Sequence, residues 1–207
     1  MFKDRRDAGI KLAHALAKYE NGAVLILAIP RGGVEVAYQV AEFLGADLSL
    51  LISRKLPYPD NPEAGFGAVA EDGSTFIFDE AARRLPRRTV EKIVAAQIVE
   101  IRRRIEVLRK GRPLPEMAAR TVILVDDGLA MGSTMRAAVA LCKKAKAGKI
   151  IVAVPVAGAE VAGELAKLAD ELVVLETPAY FYAVAQVYEN WYDVPDEEVL
   201  EIIARVK

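Results

Sequence analysis

Residues 122 to 134 read VILVDDGLAMGST, which is four apolar residues, an acidic pair and a turn bearing Gly, Ser and Thr. The helix-compatible MRAAVALCKKAKA follows at once. Asp126 and Asp127 can bind two adjacent sugar hydroxyls, coordinate Mg²⁺ directly, or hold its hydration water. Backbone N–H groups from Leu129 through Ala130, Met131, Gly132, Ser133 and Thr134 can converge on a phosphate, with a helix dipole behind them. Together these groups suit a phosphorylated sugar, although an acidic strand end before a capped helix has the same pattern. Earlier in the chain, Arg31-Gly32-Gly33 joins small residues that permit close backbone approach to a guanidinium that can grip phosphate oxygens. Arg54 and Lys55 follow a second apolar run and supply two more cations.

These groups need a scaffold that brings distant segments together. Residues 122–125 read as a fully buried parallel strand, so Asp126 and Asp127 emerge at its carboxyl end, where open α/β sheets hold ligands. Asp4 or Asp7 can cap a first helix whose apolar side is Ile10, Leu12, Ala13, Leu16 and Ala17, ended by Asn21-Gly22. Residues 24–29 form a core strand, residues 34–44 a helix ended at Gly45, and residues 48–52 a second strand. Residues 53–63 carry three prolines and break the αβ pattern as a loop or flap. Short strands at 66–70 and 75–78, joined by Glu71-Asp72-Gly73-Ser74, make an antiparallel hairpin. The longest helix, residues 89–110, places Ile93, Val94, Gln97, Ile101, Ile105 and Leu108 on one stripe. Strands at 150–154 and 171–175, with helices at 160–169 and 196–205, complete the pattern. The expectation is one α/β domain over 1–207: a twisted, mainly parallel sheet flanked by helices, with a flap at 53–78 and a terminal hood or cap at 176–207.

Composition narrows the function classes. With 53% hydrophobic residues, the 207-residue chain can bury a substantial core, and its 28 basic and 29 acidic residues leave a net charge of -1. No broad field favours nucleic acid or an anionic membrane. Arg83, Arg84, Arg87, Arg88, Arg102, Arg103, Arg104, Arg109, Lys110 and Arg112 are interspersed with Glu91, Glu100 and Glu106 and lack an aromatic platform beside them, so they read as a solvated helix surface. Cys142 is the single cysteine and His14 the single histidine, which excludes an intramolecular disulfide and a cysteine metal cluster and fits a reducing compartment. The N-terminal residues have no signal-peptide-like centre, and no apolar run approaches the roughly 20 residues of a membrane span. A cytoplasmic location is the expectation. Tyr180, Phe181, Tyr182, Tyr188, Trp191 and Tyr192 suit an acceptor pocket, the packing of a small lid, or a homodimer contact.

The 122–134 run resembles the ribose-phosphate signature of the type I phosphoribosyltransferases, which use 5-phosphoribosyl-1-pyrophosphate (PRPP). The likeness extends to Ile29-Pro-Arg-Gly-Gly33, Arg54-Lys-Leu-Pro, Asn61-Pro-Glu and Gly65-Phe-Gly-Ala, as in an uncharacterised bacterial and archaeal branch. The resemblance implies PRPP-dependent transfer of a phosphoribosyl group to an unidentified nucleobase or small acceptor, with inversion and release of pyrophosphate. By the same resemblance Asp126 and Asp127 hold the ribose hydroxyls, and Mg²⁺ is held indirectly or through those hydroxyls. Leu129 through Thr134 wrap the 5-phosphate, and Gly128 belongs to the same PRPP-binding set. Arg31, Gly32 and Gly33 form the pyrophosphate loop, which in the family often has an unusual backbone geometry. Arg31, Arg54 and Lys55 stabilise the departing pyrophosphate, completing the catalytic set with the acid pair. Three departures stand out. Met131 occupies a position where the family usually has threonine; Met131 and Gly132 stand where purine-type members often have an aspartate; and Asn190-Trp191 replaces a common aspartate-phenylalanine pair. The alternative reading is a noncatalytic PRPP or nucleotide sensor.

Overall fold

The computed structural model describes residues 1–206, with the side chain of Ala82 left aside. Five parallel strands form the main sheet: β1 (Val24–Ala28), β2 (Asp47–Leu50), β6 (Thr121–Val125), β7 (Lys149–Val156) and β8 (Glu171–Glu176), in the order β2-β1-β6-β7-β8. Every residue of β1 is buried, as are four of the five in β6, because helices cover both faces. On one face α1 (Arg5–Ala15) and α2 (Gly33–Leu44) lie against the sheet and α7 (Asp196–Ala204) packs on α2; their Leu12, Val36, Val40 and Val199 share one buried core with Ile26 and Ile123. On the other, α5 (Ser133–Lys144) brings Ala138 and Leu141 against Leu25, Leu124 and Val152. A short α6 (Ala159–Leu165) links β7 to β8.

The strand order decides where a ligand can sit. The chain leaves β1 toward β2 on one side, whereas β6 enters on the other, paired Ala28 to Val125. The β1–β6 boundary is therefore the topological switch point, where the two departing loops leave a crevice at the carboxyl ends. Residues 29–33 leave β1 there, and Asp126 and Asp127 leave β6.

Residues 53–78 are more regular than the prolines suggest. The expected loop at 53–63 instead contains β3 (Ser53–Tyr58), antiparallel to β4 (Asn61–Ala70), with β5 (Thr75–Ile77) on the far side. Pro57 is accommodated at a register shift, the kind of irregularity that tolerates a missing N–H. The turn at Asp72 is held by Ser74, whose N–H and hydroxyl both donate to the Asp72 carboxylate. A short α3 (Asp79–Arg84) precedes α4 (Arg87–Arg109), which ends on left-handed Lys110 and Gly111.

The α1 cap is Asp4, which accepts from the Asp7 N–H at 2.8 Å. Its buried stripe is Arg5, Ala8, Gly9, Leu12 and Ala13; Ile10 and Ala17, expected on the apolar side, face solvent. The basic run requires a correction as well. Arg109 is only 8% exposed and lies beside Leu108 on the buried side of α4, not on a solvated surface. It forms a two-pronged ion pair with Glu71 at 2.7 and 3.0 Å and also donates to the Leu50 carbonyl. Helix α6 stops four residues before the expected end, and Asp170 instead accepts from the Ile150 N–H at 2.7 Å.

Candidate functional site

The two switch-point loops touch. Asp126 Oδ1 accepts the Asp127 N–H at 2.9 Å, folding the pair onto itself. A Cβ added to Gly33 would lie 2.8 Å from the Asp126 Cα, and one added to Gly32 would lie 1.8 Å from Asp127 Oδ2. Glycine is required at both by close approach rather than by backbone angle, since Gly32 has φ -59. The Pro30–Arg31 peptide is cis.

Arg5 completes this cluster, and the sequence reading did not single it out. From the first turn of α1 its Nε donates to Asp127 Oδ2 at 2.9 Å, and its Nη1 donates to the Tyr192 carbonyl at 2.9 Å. The guanidinium lies 4.0 Å from the centre of the Trp191 ring. Tyr188 donates its hydroxyl to the Asp127 carbonyl at 2.7 Å. One signal was available: Arg5 shares the i, i+3, i+4, i+7, i+8 face of α1 with Ala8, Gly9, Leu12 and Ala13. An arginine on an apolar stripe needs a partner inside the protein.

The electrostatics follow from this arrangement. Burial and then the charge of Asp127 push the Asp126 carboxyl well above its usual range. Burial also raises Asp127, with Arg5 opposing it. Two carboxyl groups with one counter-cation favour a single negative charge shared by the pair. Burial also raises Tyr188, and the adjacent Asp127 adds to it.

The following loop divides in two. Leu129 cannot offer its N–H to a phosphate, because that group donates to the Val156 carbonyl at 2.9 Å. Gly128 is packed as well; a Cβ there would meet Val184 and Val156 at 2.6 and 2.7 Å. Beyond them, Gly132 adopts φ 67 and opens α5, and among the described residues the N–H groups of Ala130, Met131, Gly132, Ser133 and Thr134 take no part in the backbone hydrogen bonding. These free donors at a helix start make an anion cradle that lacks Leu129 from the expected 129–134 span. Ala130 and Met131 form its exposed rim, and Met131 is 53% exposed.

The expected cations do not converge equally. Arg31 reaches Asp196 at the start of α7, 3.6 Å away. Arg54 donates to Gln97 at 2.7 Å and lies 4.0 Å from Glu100, close enough to Arg31 that their charges repel. Lys55, one residue on, points to the other face of β3 as the pleat dictates, and its ammonium donates to the Glu63 carbonyl. Among the aromatics, Tyr188 is buried and Trp191 stacks on Arg5, whereas Tyr180 and Tyr182 are about four-fifths exposed. No group of three or more His, Cys, Asp or Glu side chains among the described residues is placed to cage a metal.

A parallel α/β sheet with an acid pair at its switch point, a glycine loop against those acids and an anion cradle behind them has the type I phosphoribosyltransferase architecture. The phosphoribosyl transferase domain model matches residues 3–190, and the chain belongs to that family. The structure of TT1426 from Thermus thermophilus is 40% identical, covers 99% of this chain and 98% of its own, and superimposes with a TM-score of 0.83. A Mycobacterium tuberculosis protein named "Putative phosphoribosyl transferase Rv0571c" is 40% identical over 207 residues, 99% of this chain and 47% of its own length. The chain thus spans about half the length of the curated relatives it matches. AQ2163 from Aquifex aeolicus, 14% identical with a TM-score of 0.52 over 84% of this chain and 73% of its own, shares the fold.

Proposed function

We propose that this chain transfers a phosphoribosyl group from PRPP to a nucleobase or other small acceptor and releases pyrophosphate. The observation that carries this reading is the contact between the Gly32-Gly33 loop and the Asp126-Asp127 pair, with the free N–H groups of residues 130–134 beyond it. Such a site suits a ribose bearing a phosphate at one end and an anionic leaving group at the other.

In this reading the carboxylate of Asp127 accepts from one ribose hydroxyl and Asp126 bonds the adjacent one, while the cradle holds the 5-phosphate. Arg31 leaves its 3.6 Å contact with Asp196 to meet the pyrophosphate, and Arg54 adds positive charge behind it. Lys55 joins only after giving up the Glu63 carbonyl, a movement of the β3–β4 hairpin that would make 53–78 a flap. The terminal segment 176–207 would cover the acceptor as a hood. Pyrophosphate leaves readily once its charge is matched, so positioning and charge stabilisation carry the chemistry and no protein nucleophile is required.

Mg²⁺ fits the acid pair only as an ion shared with the donor, because Arg5 already matches one carboxylate and the described residues offer no third acidic ligand there. When bound it neutralises pyrophosphate. A cytoplasmic location is included in this reading, and the single free cysteine, Cys142, suits it.

Calorimetric titration with PRPP, with and without Mg²⁺, tests the site. The Asp126→Asn/Asp127→Asn variant is expected to bind at least about 10-fold more weakly, since the hydrogen bond to the one charge of the pair is worth roughly 1.5–3 kcal/mol. Pyrophosphate release in an acceptor screen then separates a transferase from a sensor. A folded wild type that fails to bind PRPP would overturn the reading.

A further inference from the structure

The N-terminal residues and the terminal segment form a clasp over the acid pair. The Phe2 N–H donates to the Val187 carbonyl at 2.7 Å, the Glu189 N–H to the Phe2 carbonyl at 2.9 Å, and the Asn190 N–H to the Lys3 carbonyl at 2.9 Å. Phe2 and Tyr188 are buried against each other with ring centres 5.6 Å apart, and Tyr188 meets Trp191 at 5.4 Å. The clasp touches the acid pair at two points: the Tyr188 hydroxyl on the Asp127 carbonyl, and Arg5 on the Asp127 carboxylate.

Arg5 is the point at which the pair and the clasp are tied together. Its guanidinium satisfies the Asp127 carboxylate with Nε, the terminal segment with Nη1, and the Trp191 ring with its face. With 5% of its surface exposed, it has no solvent shell to absorb a change at any of the three. It also sits behind the glycine loop, since the Gly32 Cβ position lies 3.0 Å from Arg5 Nε. A planar donor with several fixed N–H groups can make these contacts at once, and an ammonium cannot.

We propose that Arg5 is a positioning residue that holds Asp127 in its ribose-binding orientation and relays occupancy of the acid pair to the terminal segment through Trp191. The proposal rests on the function above for what the pair binds. A hydroxyl donating to the Asp127 carboxylate draws on the negative charge that also holds Arg5 Nε, and so weakens the Nε–Oδ2 bond. The guanidinium then shifts against the Trp191 ring, and the segment carrying Tyr188, Trp191 and Tyr192 moves with it. Ligation at the switch point would thereby set the geometry of the segment expected to cover the acceptor.

The chain supplies its own reporter, because Trp191 is its only tryptophan. Ribose 5-phosphate, which carries the hydroxyls and the phosphate without a leaving group, is titrated into the full chain while tryptophan emission and heat are followed in parallel. The expected result is an emission change that saturates with the calorimetric isotherm. In Arg5→Met the change disappears and affinity falls by roughly tenfold or more; Arg5→Lys recovers most of the affinity but not the full emission response. Calorimetric binding without an emission change in the wild type overturns the relay while leaving the proposed function intact, and this arm needs no variant to fold. A folded Arg5→Met that binds with wild-type affinity overturns the positioning role. Failure of the folded wild type to bind either ribose 5-phosphate or PRPP overturns both the relay and the function on which it rests.

Discussion

Asp127 is held from three directions, by Arg5 from α1, by Tyr188 from the terminal segment, and by the Gly32 backbone pressed against its carboxylate. Arg54 and Lys55 on β3 are held by one or two neighbours each, and the Lys55 contact is solvent-exposed. The acid pair is therefore fixed before any ligand arrives, at the expense of burying carboxyl groups, whereas the β3 cations can exchange partners. The antiparallel sheet is not loose throughout, however. Its root is pinned where Glu71, at the end of β4, accepts from the Ile52 N–H and from Arg109. Adaptability is confined to the cations and the hairpin tip, above a rigid base.

That division makes the largest expected effect a structural one. Arg109→Met would leave the buried Glu71 carboxylate without its counter-charge; breaking one partner of a buried pair costs about 3–5 kcal/mol. Chemical denaturation should show the loss, while the folded protein should bind ribose 5-phosphate with nearly unchanged affinity, because Arg109 contacts the sheet root and not the switch point. A parallel loss of affinity would mean that the two regions are one rigid unit.

Two glycines separate the regions more sharply. In Gly32→Ala the new Cβ meets Asp127 Oδ2 at 1.8 Å and Cγ at 2.6 Å, and the carboxylate cannot retreat without breaking its bond to Arg5. Ribose 5-phosphate affinity should fall at least about 100-fold, the equivalent of roughly 2.7 kcal/mol. In Gly65→Ala the Cβ meets Cγ and Cδ of Lys55 at 2.5 and 2.7 Å, a flexible side chain that can swing away, and lies at an ordinary 3.6 Å from the Leu56 carbonyl oxygen. Its affinity should change by no more than about threefold. Equal losses in the two variants, measured by calorimetry, would remove the distinction between a fixed and an adaptable half.

Much of the sheet was legible because buried parallel strands are uninterrupted apolar runs, as at residues 24–28 and 122–125. The acid pair and the glycine loop were legible because their residue types stand out at strand ends. What the sequence hid were charges with distant partners. Arg5 finds Asp127 across 122 positions and Arg109 finds Glu71 across 38, and neither partner is implied by local spacing. Leu129 was misread for a related reason, since a backbone N–H carries no residue label, and only the proximity of β7 shows that Val156 has taken it. The prolines of 53–63 misled in the opposite sense: the breaker rule assumes a regular ladder, and β3 absorbs Pro57 at a shift in register.

The smallest effects carry the most direct contrast, because the two regions should titrate with opposite sign. Asp126 lies well above its unfolded value of 3.8, so the folded state favours its protonated form, and its contribution to stability declines as pH rises from 3.8 through the folded value. Asp126→Asn should therefore melt at a higher temperature than wild type near neutral pH while losing ligand affinity, with the gain fading at pH below 3.8. Glu100, beneath Arg54, is the reverse. The hydrogen bond from Arg103 lowers it most; burial opposes that, and Arg104 and the charge of Arg54 add to the lowering, so that it falls from 4.5 to about 2. Its stabilisation is complete above 4.5 and is lost as pH falls through about 2. Glu100→Gln should therefore melt slightly lower than wild type at neutral pH and converge with it near pH 2, by at most roughly 1 kcal/mol for a network this exposed. Melting curves of the three proteins across this pH range would show one difference growing as pH rises above 3.8 and the other shrinking as pH falls below 4.5. If Asp126→Asn were the less stable protein at neutral pH, the acid pair would not be a buried charge held for a ligand, and the fixed half of the site would have to be explained by its hydrogen bonds alone.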